Sequence, residues 1–244
     1  GARNCAVTGN TVTQVGGVGV NVGYLRNALK GVGLPWRKAG ATRVNVHSGD
    51  RLLIFSYFSN QCRVAGNDIF STGGDGLVLG GSENTADNNH IHSTGLYDRV
   101  CAGLTICGNE NVASHNVIHD VPRDGIFING KLNTAEYNEI RNSMLYTADN
   151  SAIALRQHDV NQAVRNRGNV LRYNRILDVV GYGSYPHCQH PGKGFASPFC
   201  SFGIYLDGSI CGVTVYGNII ARCGGSSVFV QFGGDNAVEN NIFV

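Results

Sequence analysis

Short alternating runs punctuate the chain: "GVNV", "GLVL", "GLTI", "GIFI", "AIAL", "GIYL" and "SVFV". Each sets a small residue before an apolar–variable–apolar triplet, the two-residue period of a strand with one buried face. A second phrase recurs between them as "GNTV", "GNDIF", "NNHIH", "HNVIHD", "YNEIRN", "YNRILD", "GNIIA" and "NNIFV". Its shared asparagines are Asn10, Asn67, Asn89, Asn116, Asn138, Asn174, Asn218 and Asn241. Five residues upstream stands another asparagine, in "NTADNN", "NVASHN", "NTAEYN", "NVLRYN" and "NAVENN". One repeat therefore predicts three short strands and three turns.

The spacing between shared asparagines is 22, 27 and 22 residues from Asn67 to Asn138 and 23 in the last step. Steps of 36 and 44 predict insertions, and the step of 57 from Asn10 to Asn67 predicts one or two hidden, decayed coils. A period near 22 with three strands per turn predicts an all-β fold: a right-handed parallel β-helix, in which identical residues stack from coil to coil. Recurrent asparagine at a turn is then a side-chain amide ladder, a structural role. The core is expected from the inward positions, such as Ile126 and Ile128, Ile153 and Leu155, Ile204 and Leu206. We expect a single solenoid domain over 1–244, least regular in 1–60, where "GLPWRKAG" reads as a loop. The segment 181–202 reads as the longest inserted loop. Both ends of the chain fall within the repeat pattern and look uncapped, which predicts either a longer parent chain or end-to-end self-association.

Composition sharpens this picture. With 34 glycines and 26 asparagines the sequence disfavours long helices. A net charge of +2 gives no electrostatic case for nucleic acid. No apolar run approaches the ~20 residues of a membrane span. Eight cysteines without a CxxC pair weaken a zinc-ribbon reading. They leave open disulfides, with Cys188–Cys200 the first pair to expect, or packing as small hydrophobes.

The chain resembles the right-handed parallel β-helix proteins of the pectate-lyase-like superfamily, especially bacterial β-helical glycoside hydrolases. The residues that carry this are "NNHIH", "HNVIHD", "EYNEIRN", "NVLRYNRILDVVG", "GIYLDG…GVTVYGN" and "GGDNAVENNIFV", over about 60–244. The resemblance implies polysaccharide as partner and a secreted, extracellular or periplasmic setting. It also implies a "D-x-G-A-I-Y" phrase and two aspartates after "GIYL". Asp149 and Asp207 match these positions, whereas Ser151, Ala154 and Gly208 depart from them.

Stacking the runs gives two outward columns. The first holds Val78, Thr105, Phe127, Ala154, Tyr205 and Phe229; the second holds Gly80, Cys107, Asn129, Arg156, Asp207 and Gln231. Polar groups beside aromatic faces suit a sugar chain. Asp149, His158 and Asp159 flank the Arg156 strand. The candidate catalytic residues are Asp207, Asp149, Arg156 and His158. The candidate binding residues are Asn129, Phe127, Tyr205, Phe229, Gln231, Asp159 and Lys193, the last in a loop that also carries Tyr182, Tyr185, His187 and His190. Arg156–Asp207 also reads as a plain surface ion pair, as does Glu136–Arg172. His92 and His119 form a further column, continued by Arg141 and Leu177, that reads as turn histidines bonding backbone.

Three functions fit. A glycoside hydrolase would use the carboxylate pair, without a cofactor or an assigned metal ligand. A polysaccharide lyase would use Arg156 or Lys193 as base, with Ca²⁺ held by Asp149, Asp159 and Asp207. A non-catalytic solenoid would bind glycan or assemble.

Overall fold

Three parallel sheets carry the repeats, and in each the strands pair in register with their equivalents one coil on. The structure, a computed structural model, describes residues 2–23, 46–48, 51–53, 59–184 and 194–244. The first sheet runs from Ala6–Thr8 through Arg63–Ala65, Thr85–Asp87, Val112–Ser114, Thr134–Glu136, Val170–Arg172 and Thr214–Tyr216 to Ala237–Glu239. The second runs from Thr11–Val15 to Ile242–Phe243 and includes Asp68–Thr72, His90–His92 and Val117–His119. The third contains Val20–Val22, Leu77–Ser82, Leu104–Asn109, Ile126–Asn129, Asn150–Gln157, Ser201–Gly208 and Val228–Val230. This is the right-handed parallel β-helix that the repeat predicts.

The core is built of stacked equivalents. Ile69, Ile91, Ile118, Ile140, Ile176 and Ile220 form one inward column. Leu77, Leu104, Ile126, Ile153 and Ile204 form another, and all of these side chains are fully buried. The first sheet contributes the small Ala86, Ala113 and Ala135 opposite them. Cys62 belongs to this core as a small hydrophobe. Burial pushes the Cys223 thiol up to about 11.

Asparagine amides close two of the three turns. Nδ2 of each shared asparagine donates to Oδ1 of the next: Asn67 to Asn89 at 2.9 Å, Asn89 to Asn116 at 3.0 Å, Asn116 to Asn138 at 2.9 Å, Asn138 to Asn174 at 3.0 Å. Each Oδ1 also accepts the backbone N–H of the preceding asparagine, and each Nδ2 also donates to a backbone carbonyl one coil back. An interior amide thus uses both hydrogens and both lone pairs. A second ladder joins Asn84, Asn111, Asn133 and Asn169 in the same way. The residue before each rung is left-handed, even where it is bulky, as at Tyr137 and Tyr173 (φ 54 and 56). These two rings stack at 5.1 Å, which helps hold a conformation that costs L-residues free energy.

Two expectations need correction. Asn10 bonds Asn67 directly at 3.1 Å, and Ala6–Thr8 pairs with Arg63–Ala65. The 57-residue step therefore joins adjacent coils, and among the described residues no further coil is stacked within it. Within it Val46–Ser48 pairs antiparallel with Arg51–Leu53. "GLPWRKAG", Tyr185, His187, Cys188, His190 and Lys193 lie outside the described residues. The second correction concerns His92 and His119, which stack at 5.0 Å and meet carboxylates and other side chains, not backbone. The Glu136–Arg172 column does form a surface ion pair, at 2.7 Å.

Removing one rung tests the ladder. Asn138→Ala strips Oδ1 from two buried donors of Asn116 and removes the amide donor to the Ala113 carbonyl. Unsatisfied buried groups cost ~1–3 kcal/mol each, so we expect a loss of about 2 kcal/mol or more by urea denaturation. The exposed Asn129→Ala should change stability by less than about 0.5 kcal/mol.

Candidate functional site

The two longest strands of the structure, Asn150–Gln157 and Ser201–Gly208, lie side by side in the third sheet. Their register places Ala154 against Tyr205 and Arg156 against Asp207. The next strand adds Phe229 beside Tyr205, and Gln231 follows it. The columns read from sequence are therefore real neighbours. The 203–208 run is more buried than its alternation suggests, because outward Tyr205 is 3% and Asp207 7% exposed.

Arg156 Nε donates to Asp207 Oδ2 at 2.8 Å, and His158 Nε2 lies 3.6 Å from the same oxygen. The Asp207 side chain is 10% exposed and that of Arg156 31%, so this pair is partly desolvated and differs from an open surface ion pair. Asp149 sits exposed in a left-handed turn (φ 56) at the start of the Arg156 strand. Its backbone N–H donates to the Cys200 carbonyl at 2.7 Å. The described start of the 181–202 loop is anchored nearby, with the Tyr182 N–H on the Thr147 carbonyl.

These residues surround a cavity of about 340 Å³ lined by Arg123, Asp149, Arg156, His158, Tyr205, Asp207 and Gln231. Six of its seven lining residues carry the sequence reading, and Arg123 was not foreseen. Tyr205 does not offer a ring face as a sugar platform. The ring is buried against Phe202 at 4.9 Å and Phe229 at 5.0 Å, and only its hydroxyl serves the site, donating to Gln231 Oε1 at 3.0 Å. Burial, and then the charges of Asp207 and Asp149, raise the Tyr205 hydroxyl above its ordinary value and keep it a donor.

The remaining candidates lie outside the cavity lining. Phe127 faces the Arg156 guanidinium at 6.0 Å, Asn129 is exposed on the same sheet, and half-buried Phe229 backs Tyr205. Asp159 is the N-cap of the 3-10 helix Val160–Asn166, accepting the Asn161 N–H at 3.0 Å. Lys193 is outside the described residues.

Beneath the site is a residue that sequence reasoning missed. Asp124 is buried, 3.8 Å from Arg123 Nε, and its Oδ1 has no hydrogen-bond partner. Burial pushes its carboxyl up to about 7, against the opposing pull of Arg123 and Arg156. The signal was the shared Asp-Gly before the inward runs "GLVL" and "GIFI", which puts Asp75 and Asp124 in one column.

No protein-family model matches the chain, and no curated protein matches it. Among solved structures it is similar to the catalytic domain of Agl-KA, at 21% identity and a TM-score of 0.52. That match covers 82% of this chain and 33% of the other, so this chain spans about a third of that domain. The complex of XylC with xylose matches at 15% identity and a TM-score of 0.32, over 74% of this chain and 38% of the other. The first likeness agrees with the β-helix fold.

Asp124 gives the site a pH signature. Its folded value, about 7, lies above the ordinary carboxyl value. Its contribution to stability is therefore complete below ~4 and is lost as pH rises through ~7. Asp124→Asn keeps the neutral shape. Urea midpoints should show the variant gaining on the wild type between pH 4 and about 7.5, with parallel pH curves as the contrary result.

Proposed function

We propose that the protein is a carbohydrate-active enzyme that hydrolyses a glycosidic bond in a polysaccharide, with Asp207 and Asp149 as its carboxylate pair. The observation that carries this reading is the convergence of both aspartates with Arg156 and His158 on one polar cavity. Glycoside hydrolysis needs two carboxyl groups flanking the scissile bond, one to protonate the leaving oxygen and one to act at the sugar carbon or on water. Asp207, held by Arg156, is the carboxylate with the fixed position. Asp149, on its exposed turn, is the one free to meet the leaving group. Tyr205 and Gln231 provide hydrogen bonds for ring hydroxyls. Likeness of fold to a catalytic domain supports an enzyme, and a secreted or periplasmic setting belongs with a polysaccharide substrate.

Hydrolysis is preferred over β-elimination because the Arg156 Nε is engaged by Asp207. Asp159, needed for a Ca²⁺ cluster in the lyase reading, caps a helical turn instead. The second reading we retain is glycan binding without cleavage. Gly208 stands where the resembling hydrolases have a second aspartate. It adopts φ +78, and a Cβ there would collide with the Gln157 carbonyl oxygen. The local backbone thus admits glycine in preference to a further carboxylate.

A glycan panel assayed for new reducing ends and for ultraviolet-absorbing unsaturated product separates these readings. We expect reducing ends without ultraviolet product, and Asp207→Asn and Asp149→Asn each to lower the rate at least about 100-fold. Unchanged activity in Asp207→Asn would sink the catalytic assignment. Binding without any product would establish the second reading.

A further inference from the structure

A second constellation lies on the outward face of the second sheet. The strand His90–His92 points both imidazoles outward, and register sets Asp68 beside His90 and His119 beside His92. Asp68 Oδ1 is 3.0 Å from His90 Nδ1 and 3.4 Å from His92 Nε2. This oxygen is shielded from solvent, and neither ring nitrogen meets it in good hydrogen-bond geometry. Among the described residues, the donor atoms of Asp68, His90 and His92 all lie within 4.8 Å of one another.

Hydrogen counting explains why the arrangement is incomplete. Two carboxylates are linked through two imidazoles by three short contacts: Asp68 to His90 at 3.0 Å, His90 Nε2 to His119 Nε2 at 2.8 Å, and His119 Nδ1 to Asp120 Oδ2 at 2.7 Å. With both imidazoles neutral, each supplies one N–H, and two of the three contacts hold a hydrogen. His119 Nδ1–H donates to Asp120 in the shortest, and His90 Nε2–H then donates to His119. This leaves His90 Nδ1 as a bare lone pair facing Asp68 Oδ1. His92, with Nδ1 3.3 Å from Ser93 Oγ, turns Nε2 towards the same oxygen. In that tautomer set the lone pairs of His90 Nδ1 and Asp68 Oδ1 face each other, and His92 Nε2 lies 3.4 Å from the same oxygen. Such an arrangement calls for a cation.

We propose that Asp68, His90 and His92 bind a divalent transition-metal ion of the zinc class, with His119 and Asp120 positioning His90 from behind. Two imidazoles and a carboxylate suit zinc and its neighbours, whereas Ca²⁺ and Mg²⁺ prefer all-oxygen sites. Tetrahedral ligands ~2.1 Å from zinc lie ~3.4 Å apart, close to the spacings found. The relay His90 Nε2–H to His119 to Asp120 is the outer support that metal-bound histidines commonly have; it fixes the tautomer that frees Nδ1. The site lies on a different sheet from the Asp207 cavity, and the ion would tie the coil of Asp68 to that of His90.

Metal titration tests the proposal on the full chain. Zn²⁺ added to the wild type and removed by dialysis should leave one equivalent, and Co²⁺ should give a visible spectrum of nitrogen and oxygen ligands. His90→Ala/His92→Ala should bind at least tenfold more weakly, and Asp68→Asn should also lose affinity. In the wild type, Zn²⁺ should shift the NMR ring signals of His90 and His92 and leave those of His158 unmoved, a readout that needs no folded variant. Absence of stoichiometric uptake, a thiolate spectrum, or undiminished binding by the double variant would each overturn it.

Discussion

In-register stacking is the constraint on which the rest of the structure depends, and the asparagine amides enforce it. Each rung binds the backbone of one coil and the side chain of the next. A one-residue slip would turn every inward isoleucine out to solvent and break both ladders at once. The core and the ladders thus specify one alignment. Insertions can then be large without disturbing it: Asn138 and Asn174 are 36 residues apart in sequence yet bond at 3.0 Å. Asn174 and Asn218 do the same over 44 residues.

Fixed register turns the outward face into a grid whose contents can vary. On the third sheet it brings Arg156, Asp207 and Gln231 into consecutive coils, and the turn before the Arg156 strand adds Asp149. On the second sheet it brings Asp68, His90 and His119 within one cluster. Polar side chains concentrated in this way, and partly desolvated, are the places where a solenoid of this kind can do chemistry.

Much of this was legible because the period is short and its marker residues are few. The pairing of Arg156 with Asp207 and of Glu136 with Arg172 follows from counting positions after "AIAL", "GIYL", "NTAEYN" and "NVLRYN". The step between Asn10 and Asn67 was not legible because an insertion and one or two decayed coils look alike when no marker recurs. Burial of the Tyr205 ring was hidden as well, since it depends on Phe202, a residue outside the alternating triplet. Arg123 escaped because it precedes the strand, where alternation gives no direction to a side chain, and the shared Asp-Gly that marks Asp124 says nothing of its burial. The histidine cluster was half seen. His92 and His119 were placed in one column, but the contacts that join Asp68 and His90 to them need atomic distances.

The central claim is that a glycan is bound and cut where Asp207 is held against Arg156. A crystal structure of Asp207→Asn with an oligosaccharide chosen from the cleaved glycan tests it most directly. The scissile linkage is expected between residue 207 and Asp149, with ring hydroxyls on Tyr205 and Gln231. A sugar seated on another face, or a linkage beyond the reach of both positions, would contradict it.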